Sequence, residues 1–164
     1  MKISVTNSNR GLGFAIKQRF ENVIDGFDEN SDIFINNRHN SFKQTELLME
    51  VFDKWKDTEK TIVNIVSRSK YPNISKGYLY SASKAALSHL SNNLRFVSDK
   101  KCRIIDINPG LLESELPSLS YDEIVDTIEY CINLPIHIEV GEISIWHKTP
   151  YNEISKLKDD NRKN

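Results

Sequence analysis

Lys2 to Thr6 alternates apolar and polar side chains and runs into a turn-rich stretch, Asn7-Ser8-Asn9-Arg10-Gly11. That alternation predicts a strand closed by a turn. From Gly13 to Asn22 the residues Ala15, Ile16 and Phe20 fall on one helical face. Asp32 to Asn36 reads as a short apolar strand. Phe42 to Trp55 reads as a helix, because Leu47, Leu48, Val51, Phe52 and Trp55 recur at helical spacing. Thr61 to Val66 is a β-branched strand, Tyr80 to Val97 a long helix, and Arg103 to Ile107 a strand closed by Pro109-Gly110. Ser120-Tyr121-Asp122-Glu123 has the form of a capping box. The helix it opens sets Ile124, Ile128 and Cys131 on one side, and Glu142 to Trp146 supplies a last strand.

Strands alternating with helices make βαβ units, and such units build a mainly parallel sheet. Ligands of such sheets bind outside the carboxyl ends of the strands. The residues that follow each strand are therefore the candidates for function. One domain, residues 1–150, accounts for the pattern. Residues 151–164 read as a polar tail, dense in charge from Ile154 onward and expected to fray.

Composition narrows the classes. Lys and Arg number 22 against 23 Asp and Glu, a formal charge of −1, which argues against an electrostatic nucleic-acid binder. No apolar run approaches the roughly 20 residues that cross a bilayer, and Met1 to Val5 is too short and polar for a signal peptide. Cys102 and Cys131 stand far apart, which excludes a disulfide scaffold and a cysteine-built zinc site. They read as small buried hydrophobes in a reducing, cytoplasmic setting. His89, His137 and His147 share no metal-ligand spacing.

Three places carry candidate chemistry. The turn Asn7-Ser8-Asn9-Arg10-Gly11-Leu12-Gly13 leaves a strand and opens a helix. Glycines there let the backbone approach a diphosphate, and the helix start offers free N–H groups and a positive dipole end. Arg10 adds a full charge. In Tyr80-Ser81-Ala82-Ser83-Lys84 the first and last residues share a helix face. An ammonium near a phenol favours the phenolate, which makes Tyr80 a proton donor and acceptor. Ser67 stands 13 residues before Tyr80, at the carboxyl end of a strand, where its hydroxyl can bond a substrate oxygen. Pro109-Gly110 ends the next strand at the same rim. Taken singly, each of these also reads as an ordinary turn or a solvated helix face.

Together these residues resemble the short-chain dehydrogenase/reductase family. The loop resembles that family's Thr-Gly-x-x-x-Gly-x-Gly, and Asp32 to Asn37 resembles the strand leading into its Asn-Asn-Ala-Gly. Tyr80 and Lys84 resemble its Tyr-x-x-x-Lys. Pro109-Gly110-Leu111-Leu112-Glu113-Ser114 resembles its Pro-Gly-x-x-x-Thr, with serine for threonine. The resemblance implies a three-layer Rossmann-like α/β fold. It also implies an oxidoreductase that interconverts a carbonyl and a secondary alcohol with NAD or NADP. Tyr80 would be the acid/base, Lys84 would tune it and bind the nicotinamide ribose, and Ser67 would polarise the carbonyl. Asn40, 27 residues before Ser67, resembles the helix asparagine that holds a relay water, and it also reads as a plain helix cap. Cofactor contacts would come from Asn7, Ser8, Asn9, Arg10, Gly11, Leu12, Gly13, Asn36, Asn37, Tyr80, Lys84, Pro109, Gly110, Leu112 and Ser114. Arg10 favours NADP, as in relatives with a basic residue there.

The chain departs from that pattern. Only 22 residues separate Gly13 from Asn36, where the family fits two further strands and two helices. Asn7 replaces the loop's first glycine, and Arg38-His39 replaces Ala-Gly. The family's strand order 3-2-1-4-5-6-7 is thus expected to shrink to about five strands, with Lys2 to Thr6 at an open edge. Val23 to Phe27 is a candidate to cover part of that edge. Two readings follow: an oxidoreductase of reduced size, or a non-catalytic relative that serves as an oligomeric binding or regulatory protein with a degraded dinucleotide site. Either is expected to form a homodimer or homotetramer through the helices 42–55 and 80–97. Phe52, Trp55, Leu87, Leu90, Leu94 and Phe96 are the apolar residues available for that bundle. A small-molecule substrate is expected, with no nucleic acid, membrane or metal.

Overall fold

A computed structural model describes residues 1–38, 40–72 and 77–160. His39 lies outside the described residues. One parallel sheet of six strands forms the middle layer, in the order β2-β1-β3-β4-β5-β6. The strands are β1 (Ile3–Val5), β2 (Val23–Asp25), β3 (Ile33–Asn36), β4 (Thr61–Ile65), β5 (Arg103–Pro109) and β6 (Glu142–Ile145). The helices are α1 (Gly11–Arg19), α2 (Lys43–Trp55), α3 (Tyr78–Arg95), α4 (Tyr121–Ile132) and α5 (Tyr151–Asp160).

Strand side chains alternate between two separate cores, as the period of two demands. Ile3, Val5, Ile33, Ile35, Val63, Ile65, Ile105 and Ile107 point to one face, where Leu12 and Ile16 of α1 and Ile124 and Ile128 of α4 cover them. Phe34, Ile62 and Ile104 point to the other, under Leu48, Phe52 and Trp55 of α2 and Leu87 of α3. Coverage of both faces is what a parallel sheet requires. The capping box at α4 forms as the sequence predicts. Ser120 Oγ accepts from the Glu123 amide at 3.3 Å, and Glu123 Oε2 accepts from the Ser120 amide at 2.8 Å. Cys102 and Cys131 are free and buried.

The structure corrects the expected sheet. Val23–Asp25 is a full member, paired parallel to β1 with Ile3 opposite Val23. Only the outermost strand of the family order is missing, and β1 is not an edge. Three residues are too few to show alternation, which hides β2 from pattern reading. Left-handed Asn22 (φ 56°) delivers the chain into β2, and left-handed Gly26 (φ 85°) takes it out. Residues 151–160 form α5 where a fraying tail was expected, and the amides of Glu153 and Ile154 bond back to the Pro150 carbonyl. Of the residues expected between subunits, Phe52, Trp55, Leu87 and Leu94 instead lie in this chain's own core. Phe96 is the one of that set left open, 88% exposed.

The β1–α1 turn is the tightest point of the fold. A Cβ on Gly13 would stand 2.0 Å from the Asn7 carbonyl oxygen. Gly13→Ala therefore cannot be absorbed by a side-chain shift and is expected to cost about 2–3 kcal/mol, the upper part of the range for overpacking. Gly141→Ala, whose added carbon would meet nothing closer than 3.9 Å, is the near-neutral control. Urea unfolding of both variants checks the difference.

Candidate active site

The turn after β1 is held by its neighbours on both sides. Asn7 takes a left-handed conformation (φ 65°), which asparagine tolerates better than other side-chain-bearing residues. It can thus stand where the expected motif has glycine. Thr6 Oγ1 accepts from the amides of Asn37 (2.9 Å) and Arg38 (2.8 Å), and Asn37 Nδ2 donates to the Thr6 carbonyl (3.2 Å). On the other side the Ser8 amide donates to Asp25 Oδ1 at 2.8 Å. That bond and the Ser8 side chain hold the Asp25 carboxyl below its ordinary range. Arg10 is exposed, and its Nε donates to Asn7 Oδ1 at 3.3 Å. The Tyr121 hydroxyl stands 3.2 Å from where a Cβ on left-handed Gly11 would be, so α4 overhangs the turn. Free amides at the start of α1, a guanidinium, a phenol and a carboxylate at the end of β2 form a donor and acceptor set that fits a dinucleotide's diphosphate and ribose.

Lys84 lies across the sheet rim from that turn. It is 3% exposed. Its Nζ donates to Gln44 Oε1 and to the Ile65 carbonyl, both at 2.7 Å. It also stands 5.6 Å from the centre of the Tyr80 ring, one helical turn away. Gln44 is itself locked. Its Nε2 donates to the Asn36 carbonyl at 2.7 Å, and its carbonyl accepts from Asn36 Nδ2 at 2.9 Å. No carboxylate shares this pocket, and burial alone lowers the Lys84 pKa from 10.5 to about 7.

Ser67 follows β4 by two residues and caps the short 3-10 turn Arg68–Lys70. Its Oγ accepts from the Ser69 amide at 3.1 Å and from the Ser69 hydroxyl at 2.9 Å. Tyr80 is 38% exposed at the start of α3. Tyr80, Lys84 and the β4 end that carries Ser67 are thus brought together. Asn36 is fully buried and turned inward, donating also to Asn64 Oδ1 at 3.1 Å. Leu112 packs against the α1/α4 core, and exposed Ser114 accepts from the Leu116 amide at 3.2 Å.

Asn40 is placed elsewhere than expected. It lies exposed in the loop before α2, whose N-cap is Phe42, and its carbonyl accepts from the Lys43 amide at 3.0 Å. Gln44 is the α2 side chain that faces Lys84. The sequence carried a faint signal for it, a polar residue three positions before Leu47 and so on the helical face that the apolar residues of α2 continue. Among the described residues no cluster of His, Cys, Asp and Glu suits a metal ion, and no helix is long and apolar enough to cross a membrane.

A family model described as short chain dehydrogenase matches residues 27–123. The chain belongs to the short-chain dehydrogenase family. An uncharacterised oxidoreductase of Staphylococcus saprophyticus is 29% identical over 94 residues. That match takes in 51% of this chain and 40% of the relative, so the chain spans well under half of that protein. Among solved structures, serine dehydrogenase from Escherichia coli superposes with a TM-score of 0.78 at 18% identity, covering 92% of this chain and 100% of the other. An alcohol dehydrogenase from the archaeon Thermococcus sibiricus gives 0.69 at 17%, covering 92% and 99%. A 4-hydroxyisoleucine dehydrogenase solved with NADH gives 0.67 at 21%, covering 88% and 96%. At such identities the structural likeness shows the Rossmann-like fold of this short-chain dehydrogenase.

The Lys84 environment sets a pH dependence. Between pH 7 and 10.5 the unfolded chain holds more protons on this amine than the folded one, so stability rises with pH across that window. Denaturation midpoints at pH 7 and pH 9 are expected to show the rise, and Lys84→Met is expected to flatten it.

Proposed function

We propose that this short-chain dehydrogenase interconverts a carbonyl and a secondary alcohol with a nicotinamide dinucleotide. The buried Lys84 amine, suspended between Gln44 and the end of β4 one turn from Tyr80, is the observation that carries the reading. A bound nicotinamide supplies or accepts the hydride. Tyr80 gives a proton to the substrate oxygen or takes one from it, and Ser67 Oγ donates a hydrogen bond to the same oxygen. Lys84 binds the ribose and positions Tyr80. An amine with a pKa about 7 can hold or release a proton near neutrality. In its neutral form both N–H groups are spent on Gln44 and Ile65, which leaves the lone pair to accept. Gln44, and not Asn40, is the α2 side chain that positions Lys84.

Two side chains compete over the adenosine ribose. Arg10 favours a 2′-phosphate, whereas Asp25, at the end of β2, opposes one and accepts from ribose hydroxyls. Asp25 is anchored at the turn by the Ser8 amide at 2.8 Å, while exposed Arg10 makes a longer bond to Asn7 at 3.3 Å, so the balance goes to NAD(H). The dinucleotide names in the matched structures, NADH and 5-hydroxy-NADP, are compatible with either outcome. A reduced cytoplasmic setting suits the two free thiols, and the substrate is a small molecule. A homodimer or homotetramer that covers Phe96 completes the reading.

Titration calorimetry with both dinucleotides tests the site. Micromolar binding supports the enzyme, and no binding of either supports a non-catalytic binding protein. Asp25→Asn is expected to raise NADP(H) affinity. Tyr80→Phe is expected to lower turnover of a ketone and alcohol panel by about 100-fold or more, the usual size of acid–base catalysis, with cofactor affinity kept. Light scattering at micromolar concentration is expected to return a dimer or tetramer.

A further inference from the structure

Arg68 directly follows Ser67, so their Cα atoms are about 3.8 Å apart. Its guanidinium carbon lies 3.9 Å from the centre of the Trp146 ring. Trp146 follows β6 and is fixed against the end of β5. A Cβ on Gly110 would meet Trp146 Cβ at 2.8 Å, and the Gly110 amide donates to the Ile145 carbonyl at 2.8 Å. Arg68 therefore reaches from the end of β4 to the end of β6 and rests on a rigid indole platform at the rim.

Stacking of this kind leaves the in-plane N–H donors of a guanidinium free for a planar, two-oxygen partner. Among the described residues no carboxylate stands within ion-pair distance of Arg68. Two positions on, Lys70 is neutralised by Glu142 at 2.8 Å, whereas Arg68 has the Trp146 ring as its contact. Both Arg68 and Trp146 are exposed. The molecule thus holds a cation with no carboxylate partner, oriented on Trp146, on the residue next to Ser67.

We infer that Arg68, seated on Trp146, receives the carboxylate of a substrate that is a short hydroxy or oxo acid. This rests on the oxidoreductase reading for the word substrate. The anion site itself stands on the Arg68–Trp146 geometry. Ser67 meets the reacting oxygen and Arg68 the acid group a few bonds away. A carboxylate accepts two parallel hydrogen bonds from the guanidinium fork, whereas the matching amide offers one acceptor oxygen and no charge.

The chain has two tryptophans, Trp55, 1% exposed, and Trp146, 48% exposed. An amide-nitrogen correlation spectrum therefore has two indole signals, which Trp146→Phe assigns. Titration with acetate, glycolate and 3-hydroxybutyrate is expected to shift the Trp146 signal saturably, and 3-hydroxybutyramide is not. Arg68→Gln is expected to weaken 3-hydroxybutyrate binding by about tenfold or more, with the rest of the spectrum unchanged, and Arg68→Lys to restore only part of it. An equal shift with the amide, unchanged affinity in Arg68→Gln, or no saturable shift with any of the acids overturns the inference. Acid binding through Arg68 without turnover of any hydroxy acid, ketone or alcohol with either dinucleotide keeps the anion site and removes the oxidoreductase reading. Turnover with the same KM for acid and amide does the reverse.

Discussion

Asn36, Asn64, Asp106 and Glu142 stand side by side on four neighbouring strands, each the register partner of the next. The first three are fully buried, beneath α2 and α3. Polar groups in that position must find partners, because each unpaired one costs a desolvation penalty of about 1–3 kcal/mol. The helices answer residue by residue. Gln44 meets Asn36, Ser91 meets Asn64 at 3.0 Å, Arg95 meets Asp106 at 3.3 Å, and Ser88 and Lys70 meet Glu142 at 2.9 and 2.8 Å. Burial still pushes the Asp106 carboxyl above its ordinary range despite Arg95. A slide of α3 by one turn would break the Ser88, Ser91 and Arg95 bonds at once. The row thereby fixes how deep Lys84 sits and where Tyr80 emerges.

That row also explains what the sequence concealed. Strands were legible because their apolar residues are β-branched and bounded by turns, as in Thr61 to Val66. The placement of Ser67 just after β4 and of Tyr80 and Lys84 one turn apart on α3 was legible, because a strand end and a helical period fix such positions with few assumptions. Lys84, Ser88, Ser91, Asn92 and Arg95 repeat at helical spacing too, but polar residues in that pattern read as a solvated face. Nothing local distinguishes them from residues facing water. Only the strand partners, far away in sequence, turn the stripe inward. Gln44 escaped for the same reason. Asn40 was placed by counting back from Ser67, and counting fails when a loop changes length between two fixed elements.

The apolar face of α3 was misread in the opposite sense. Leu87 and Leu94 looked available for a neighbouring subunit because the amount of core in one chain was underestimated. Leu87 and Leu94 are buried in the core that Phe34, Ile62 and Ile104 of β3, β4 and β5 form under α2 and α3. The shortening of the chain falls on the adenosine end of the rim. It leaves β3, β4 and β5, which carry the Asn36–Lys84–Ser67 region, at full width. The family match, which begins at residue 27 beyond the β1–α1 turn, divides the chain along a similar line.

A parallel sheet open at both margins invites fibril growth by strand addition. β2 offers an incoming strand only three residues. The chain then swings away at Gly26, and the charged Asp25 sits at the last usable position. A visitor could pair there over about 10 Å at most, a short ladder on which to template a second copy. The brevity that made β2 hard to see thus also shields that margin of the sheet from amyloid-like stacking.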